Sequence, residues 1–157
     1  MRAEDLMTRN VATCHSGDPL LRAVEHMKAR DTGWIPVVDD HGRPVGVVTD
    51  RSIAYAALDT LVLADRQVEV ALLPAACIRG HQSLAEASNV MKQNSCRRLV
   101  IVDDDGRLEG VLSLSDLARQ AWGQDDDPSA LNTTDVAYLL AALARPRHPL
   151  DLEPAPG

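Results

Sequence analysis

The sequence predicts an α/β (α+β) chain made of two βαββα units in tandem, related by a pseudo-twofold axis and followed by a C-terminal helix. Three observations predict it. The chain matches itself at a constant offset of 64 positions without a gap, as when Gly46-Val47 falls on Gly110-Val111 and Met27-Lys28 on Met91-Lys92. Each copy carries two β-branched runs separated by an acidic turn that ends in glycine. Each copy also has an apolar helical period ahead of the first of those runs.

The elements follow in order. A short strand opens each copy, at 11–14 and at 76–78. The turn Gly17-Asp18-Pro19, or His81-Gln82-Ser83, leads into a helix whose apolar face is Leu20, Ala23, Val24 and Met27, matched by Leu84, Ala87, Ser88 and Met91. An apolar strand comes next, 34–38 or 98–102. The turns Asp39-Asp40-His41-Gly42 and Asp103-Asp104-Asp105-Gly106 then return the chain as strands 44–49 and 108–113. A second helix starts at Asp50 or Leu114. One such unit has too little apolar surface to close a core, so two units pack sheet to sheet and leave a cleft on either side of the axis.

The expected divisions are a first repeat at 1–58, a linker with a helical turn at 59–73, a second repeat at 74–122 and an extension at 123–157. Residues 3–7 read as the helical turn belonging to the first repeat. Gly123 and Asp125-Asp126-Asp127-Pro128 break the pattern. A helix over about 133–145 then carries Val136, Leu139, Leu140 and Leu143, as a stripe that docks on its own module or on a partner subunit. A Pro-rich tail follows.

Composition excludes several classes of function. A net charge of −7 and a pI near 5.1 disfavour nucleic acid, which requires a basic face. No apolar run is long enough to span a membrane, and the acidic start is no signal peptide. Cys14, Cys77 and Cys96 have no CxxC spacing and read as reduced thiols of a cytoplasmic protein. The Asp triplets fit solvated turns better than metal ligands. His15, His26, His41, His81 and His148 have no metal spacing, and no nucleophile elbow, P-loop or dinucleotide fingerprint is present. The chain is expected to be no enzyme and to carry no metal and no resident cofactor.

The phrase Gly110-Val111-Leu112-Ser113-Leu114-Ser115-Asp116 and its variant Gly46-Val47-Val48-Thr49-Asp50-Arg51-Ser52, each behind an apolar strand and hairpin, resemble the CBS-domain family. The resemblance covers residues 1–122. It implies a module that binds an adenosine-type nucleotide (AMP, ADP, ATP or S-adenosylmethionine) between paired repeats, senses metabolic state, forms a homodimer and acts on an unidentified protein partner. The local chemistry is legible on its own: Ser113 caps a helix whose free N–H groups favour phosphate, and Asp116 can accept hydrogen bonds from a ribose diol. Ser113 with Asp116 is equally a capping box that needs no ligand.

Ser52 stands where the first repeat lacks that carboxylate, so two unequal sites are expected. The better one comprises Ser113, Asp116 and Gly110, with Cys77, Ile78, Arg79, Arg97, Arg98 and Leu99 implied by the resemblance as base wall and phosphate partners. Arg97 and Arg98 are alternatively surface partners of the acidic hairpin. The weaker site comprises Thr49, Ser52, Cys14, Trp34, Ile35 and Gly46, with Trp34 either stacked on a base or buried at an interface. The other class of function is a dimeric scaffold with a decayed pocket.

Overall fold

A computed structural model describes residues 1–58, 65–122 and 131–144. The elements in order are α1 (Ala3–Leu6), α2 (Leu20–Arg30), β1 (Trp34–Val38), β2 (Pro44–Thr49), α3 (Asp50–Ala56), a 3-10 turn (Val68–Ala71), β3 (Cys77–Arg79), α4 (Leu84–Gln93), β4 (Arg98–Val102), β5 (Leu108–Ser113), α5 (Leu114–Ala121) and α6 (Thr133–Leu143). Linker residues 59–64, the break at Gly123 to Pro128 and the Pro-rich tail lie outside the described residues.

The duplication is visible element by element. β1 and β2 pair antiparallel, and so do β4 and β5, each hairpin with one register shift just before its turn. Those turns require glycine: Gly42 and Gly106 sit at φ +77° and +78°, where a side chain is strained. The Asp39 carboxylate accepts the backbone N–H groups of His41 and Arg43. The Arg43 bond is the main reason its pKa lies below the ordinary aspartate value. The two hairpin tips also touch, through Leu108 N–H to the Gly42 carbonyl at 2.9 Å. The acidic triplets are therefore turn residues, and among the described residues no group of His, Cys, Asp and Glu could hold a metal ion.

Both long repeat helices end in a left-handed residue, Asp31 after α2 and Ser95 after α4, at φ 49° and 48°. At its start α4 has a reciprocal cap between Ser83 and Glu86, whereas α2 begins after Pro19 with no side-chain cap. Instead the Leu20 N–H donates to the Arg66 carbonyl at 2.8 Å.

That bond belongs to a pattern that the repeat offset does not contain. The 3-10 turn of the linker docks on the first repeat, where Val68 and Glu69 N–H groups donate to the Asp18 and Ser16 carbonyls. Its Val68 and Ala71 complete the core of Leu20, Ala23, Ile35, Val37 and Val48. Helix α1 docks on the second repeat, with Ala3 and Glu4 N–H groups donating to Gln82 and Gly80. Its Ala3 joins Met7 in the core of Leu84, Met91, Leu99, Ile101 and Leu112. Residues 3–7 precede the first repeat in the chain but pack on the second, and the linker turn packs on the first: the leading turn of each repeat packs on the other one. Each half lacks a lid of its own, and the covalent neighbour supplies it.

The same crossing shortens the first expected strand. Thr8 pairs antiparallel with Val111 of β5, and the chain turns at Asn10 in a left-handed conformation (φ 55°). It reaches β1 only at Cys14, a single parallel bridge to Val37 in place of a strand at 11–14. In the second repeat β3 forms a parallel ladder on β4 from Cys77 to Arg79.

Between the sheets lie Trp34, Val47 and Val100, with Val102, Leu108 and Val111 around them. α6 packs across α4 and α5 and buries Val136 and Leu139 in the second core. Each such buried side chain contributes about 1.5–3 kcal/mol. No described helix is long and apolar enough to cross a membrane.

Candidate functional site

The crossing of the N-terminal segment builds a cavity of about 270 Å³ between the repeats. The second repeat contributes Arg98, Val111, Ser113 and Asp116. The first contributes Val11, Ala12, Arg30, Thr32, Trp34 and Ile35, and the crossing strand adds Thr8 and Asn10. The lining combines aliphatic and aromatic side chains with polar and charged ones, the mixture from which small-molecule sites are built.

Ser113 and Asp116 are held by the start of α5. The Ser113 hydroxyl accepts the Asp116 N–H at 3.2 Å, and the Asp116 Oδ2 accepts the Ser113 N–H at 2.8 Å and the Ser113 hydroxyl at 2.6 Å. The capping box expected from the sequence is therefore present, and it coexists with a place in the cavity wall. Asp116 is 7% exposed. Its Oδ1 forms an ion pair with Arg119, one turn along the same helix.

Strand register places Arg98 opposite Ser113 across the β4–β5 pair. Arg30, at the end of α2, reaches the cavity from the first repeat. Among the described residues neither guanidinium has a hydrogen-bond or ion-pair partner. Two unpaired cations and one paired carboxylate therefore share the cavity.

The predicted residues regroup in space. Ser113, Asp116 and Arg98 of the expected better site share one cavity with Trp34 and Ile35 of the expected weaker site. Cys77, Ile78, Arg79, Arg97, Leu99 and Gly110 do not line it. Ile78 and Leu99 are core residues. Arg79 braces the acidic hairpin through the Asp103 carbonyl and the Asp104 carboxylate. Cys77 and Arg97 are exposed.

Val11 and Ala12 of the first repeat line the cavity with Asp116, whereas Cys77 and Ile78 lie on β3, on the far side of β4 from β5. Gly110 acts at one remove: a Cβ there would stand 2.8 Å from the Thr8 carbonyl. Trp34 is buried between the sheets and also lines the cavity, so its two readings are compatible.

Of the remaining weaker-site residues, Thr49 and Ser52 cap α3 reciprocally. Gly46 lies against Leu72 and the Leu73 carbonyl. Cys14 is 1% exposed, and burial pushes its thiol up to about 11, so it is no nucleophile at neutral pH. Sequence reasoning missed Thr8, Asn10, Arg30 and Thr32. The polar Arg30 and Thr32 flanking the left-handed end of α2 were the available signal.

Comparison with known proteins identifies both halves. The family model described as "CBS domain" matches residues 3–59 and again 69–123. The CBS domain-containing protein YhcV of Bacillus subtilis (strain 168) is 36% identical over 138 residues, covering 86% of this chain and 94% of that protein. Among solved structures, CBSX2 in complex with AMP is similar at 26% identity and TM-score 0.65, over 77% of this chain and 96% of that one. The CBS domain pair of MJ0100 in complex with 5-methylthioadenosine and S-adenosyl-L-methionine has 21% identity and TM-score 0.70, over 80% and 98%. The latter shares the fold.

Proposed function

Because the chain belongs to the CBS-domain family, we propose that it is a non-catalytic regulatory module of the cytoplasm that binds an adenosine-type nucleotide in the cavity between its repeats. The observation that carries this reading is the buried Asp116 carboxylate, held at a helix N-terminus in the wall of a cavity with an indole and aliphatic side chains. A purine fits between Trp34, Ile35 and Val11, and a ribose lies at Asp116. The unpaired Arg30 and Arg98 favour a phosphate, because each can engage it through paired N–H donors. They disfavour a sulfonium ligand, which brings a further positive charge. AMP and its di- and triphosphates are therefore preferred over S-adenosylmethionine.

Regulation follows from the lining. A ligand that touches Arg30 and Trp34 in one repeat and Arg98 and Asp116 in the other holds the two in one relation. A ligand shifts a conformational equilibrium only by its differential affinity for the two states. Calorimetric and thermal-shift titrations with AMP, ADP, ATP and S-adenosylmethionine test the proposal. Saturation at a hundredfold over the dissociation constant should add about 2.7 kcal/mol of stability. Binding of S-adenosylmethionine alone would overturn the phosphate preference. Silence from all four would leave the scaffold reading.

One observation supports a homodimer under either reading. In the second repeat α6 packs on α4 and α5, with Val136 and Leu139 in one core with Met91 and Leu117. The counterpart in the first repeat, with Val24, Met27 and Ile53, is an open groove of about 480 Å³. Val24 is 39% exposed, whereas Ser88 is 3% exposed. The outer face of α6 is apolar too, with Tyr138 70% and Leu140 47% exposed. A second copy that lays this face in the open groove would close both surfaces by a twofold axis. Light scattering should give a dimer for the parent chain and a monomer for Val24→Asp. A monomeric parent, or a dimeric variant, refutes this arrangement.

A further inference from the structure

Resting on the nucleotide reading above, we propose that Arg119 is a release latch on Asp116 that sets how strongly the site distinguishes ribose from deoxyribose. The argument is one of lone pairs. A carboxylate offers about four acceptor positions, two on each oxygen. In Asp116 the Ser113 N–H and hydroxyl fill both positions of Oδ2. Arg119 takes one on Oδ1. A single position remains, and a vicinal diol brings two hydroxyl donors.

Only one of the three existing partners can leave at low cost. The two Ser113 bonds close the first turn of α5, and Ser113 cannot move without opening the cap. The Arg119 side chain is 72% exposed, so its guanidinium exchanges a carboxylate for water when it swings away. Full diol capture therefore requires the latch to open, whereas a ligand with one hydroxyl fits the closed form. Arg119 lowers affinity for ribosides relative to deoxyribosides.

The first repeat supports the pairing of these two residues. At the offset of 64, Ser52 occupies the place of Asp116 and Tyr55 the place of Arg119. The carboxylate and its counter-ion are both missing from that repeat, so latch and grip go together.

The test uses the full chain and two uncharged probes, adenosine and 2′-deoxyadenosine, so that no phosphate contact enters. Arg119→Met keeps the aliphatic stem and removes the guanidinium. Calorimetry should find adenosine bound about two- to fivefold more tightly by the variant, the range set by an exposed ion pair. Binding of 2′-deoxyadenosine should be unchanged. Arg119→Lys, which keeps a cation within reach, should return the ratio toward the parent value.

An equal change for both probes means a general structural effect and overturns the latch. So does an unchanged ratio, and so does weaker adenosine binding. If the parent chain binds adenosine but Arg119→Met leaves the ratio alone, the latch fails and the nucleotide reading survives. If neither probe nor AMP binds parent or variant, both fail together.

Discussion

Gly110→Ala is expected to destabilise the chain by about 1–3 kcal/mol, the cost of overpacking a close contact. An added Cβ would lie 2.7 Å from the Met7 Sδ and 2.8 Å from the Thr8 carbonyl oxygen. The methionine end can rotate, but the carbonyl accepts the Val111 N–H at 3.0 Å and cannot retreat without breaking that pair. Gly46→Ala meets the same situation in the first repeat, at 2.6 Å from the Leu73 carbonyl. Gly17→Ala is the internal control, since nothing lies within 4 Å of its added Cβ.

Urea denaturation should place the first two variants well below the third. The functional readout separates the pair. Gly110→Ala displaces Thr8, which lines the cavity, and should weaken nucleotide binding even where the protein is fully folded. Gly46→Ala displaces Leu73, which does not line it, and should leave affinity alone. Parent-like stability in both variants would mean that the crossing strands do not dock on β5 and β2.

These glycines also show where reading the sequence stopped. The offset of 64 placed both hairpins, both helix pairs and the turn glycines, because side-chain periodicity and turn chemistry are written in residue types. The Ser113–Asp116 box was legible for the same reason. The exchange of α1 and the linker turn between repeats was not. It is carried by backbone bonds such as Ala3 to Gln82 and Val68 to Asp18, which any residue type can make. A repeat offset assigns a segment by position in the chain, not by the half on which it packs.

The cavity wall depends on the same packing. The family resemblance points to Cys77 and Ile78, on the first strand of the same repeat, as the wall beside Asp116. Once Thr8 lies on β5, the facing wall is Val11 and Ala12, and Trp34 joins Arg98 in one cavity rather than marking a second. Arg30 escaped notice because, on a helical pattern, a basic residue near a C-terminus has a sufficient local reason in the helix dipole.

Asp116→Asn should cut affinity for an adenosine nucleotide at least tenfold, the largest functional effect expected of a single substitution here. A hydrogen bond to a charged group contributes about 1.5–3 kcal/mol, and an amide in that place offers one acceptor oxygen where the carboxylate offers two. Because asparagine still accepts the Ser113 N–H, α5 stays capped. The loss should appear in binding and hardly in the urea midpoint. Asp116→Ala should lose both, with about 0.5–2 kcal/mol of stability going with the cap.

The first repeat supplies the reciprocal experiment. Ser52 is 7% exposed, as Asp116 is, and closes the start of α3 with Thr49 in the same way. It provides a cap without a charge. The parent chain should therefore bind one equivalent of nucleotide per chain, and Ser52→Asp should leave that first site at its parent affinity. Two equal sites in the parent would contradict the asymmetry outright, since a serine hydroxyl would then be performing the work of a carboxylate. So would an Asp116→Asn protein that binds as tightly as the parent, because Asp116 is the one carboxylate among the residues that line the cavity and the hydroxyl and amide groups beside it make weaker, uncharged acceptors for a sugar.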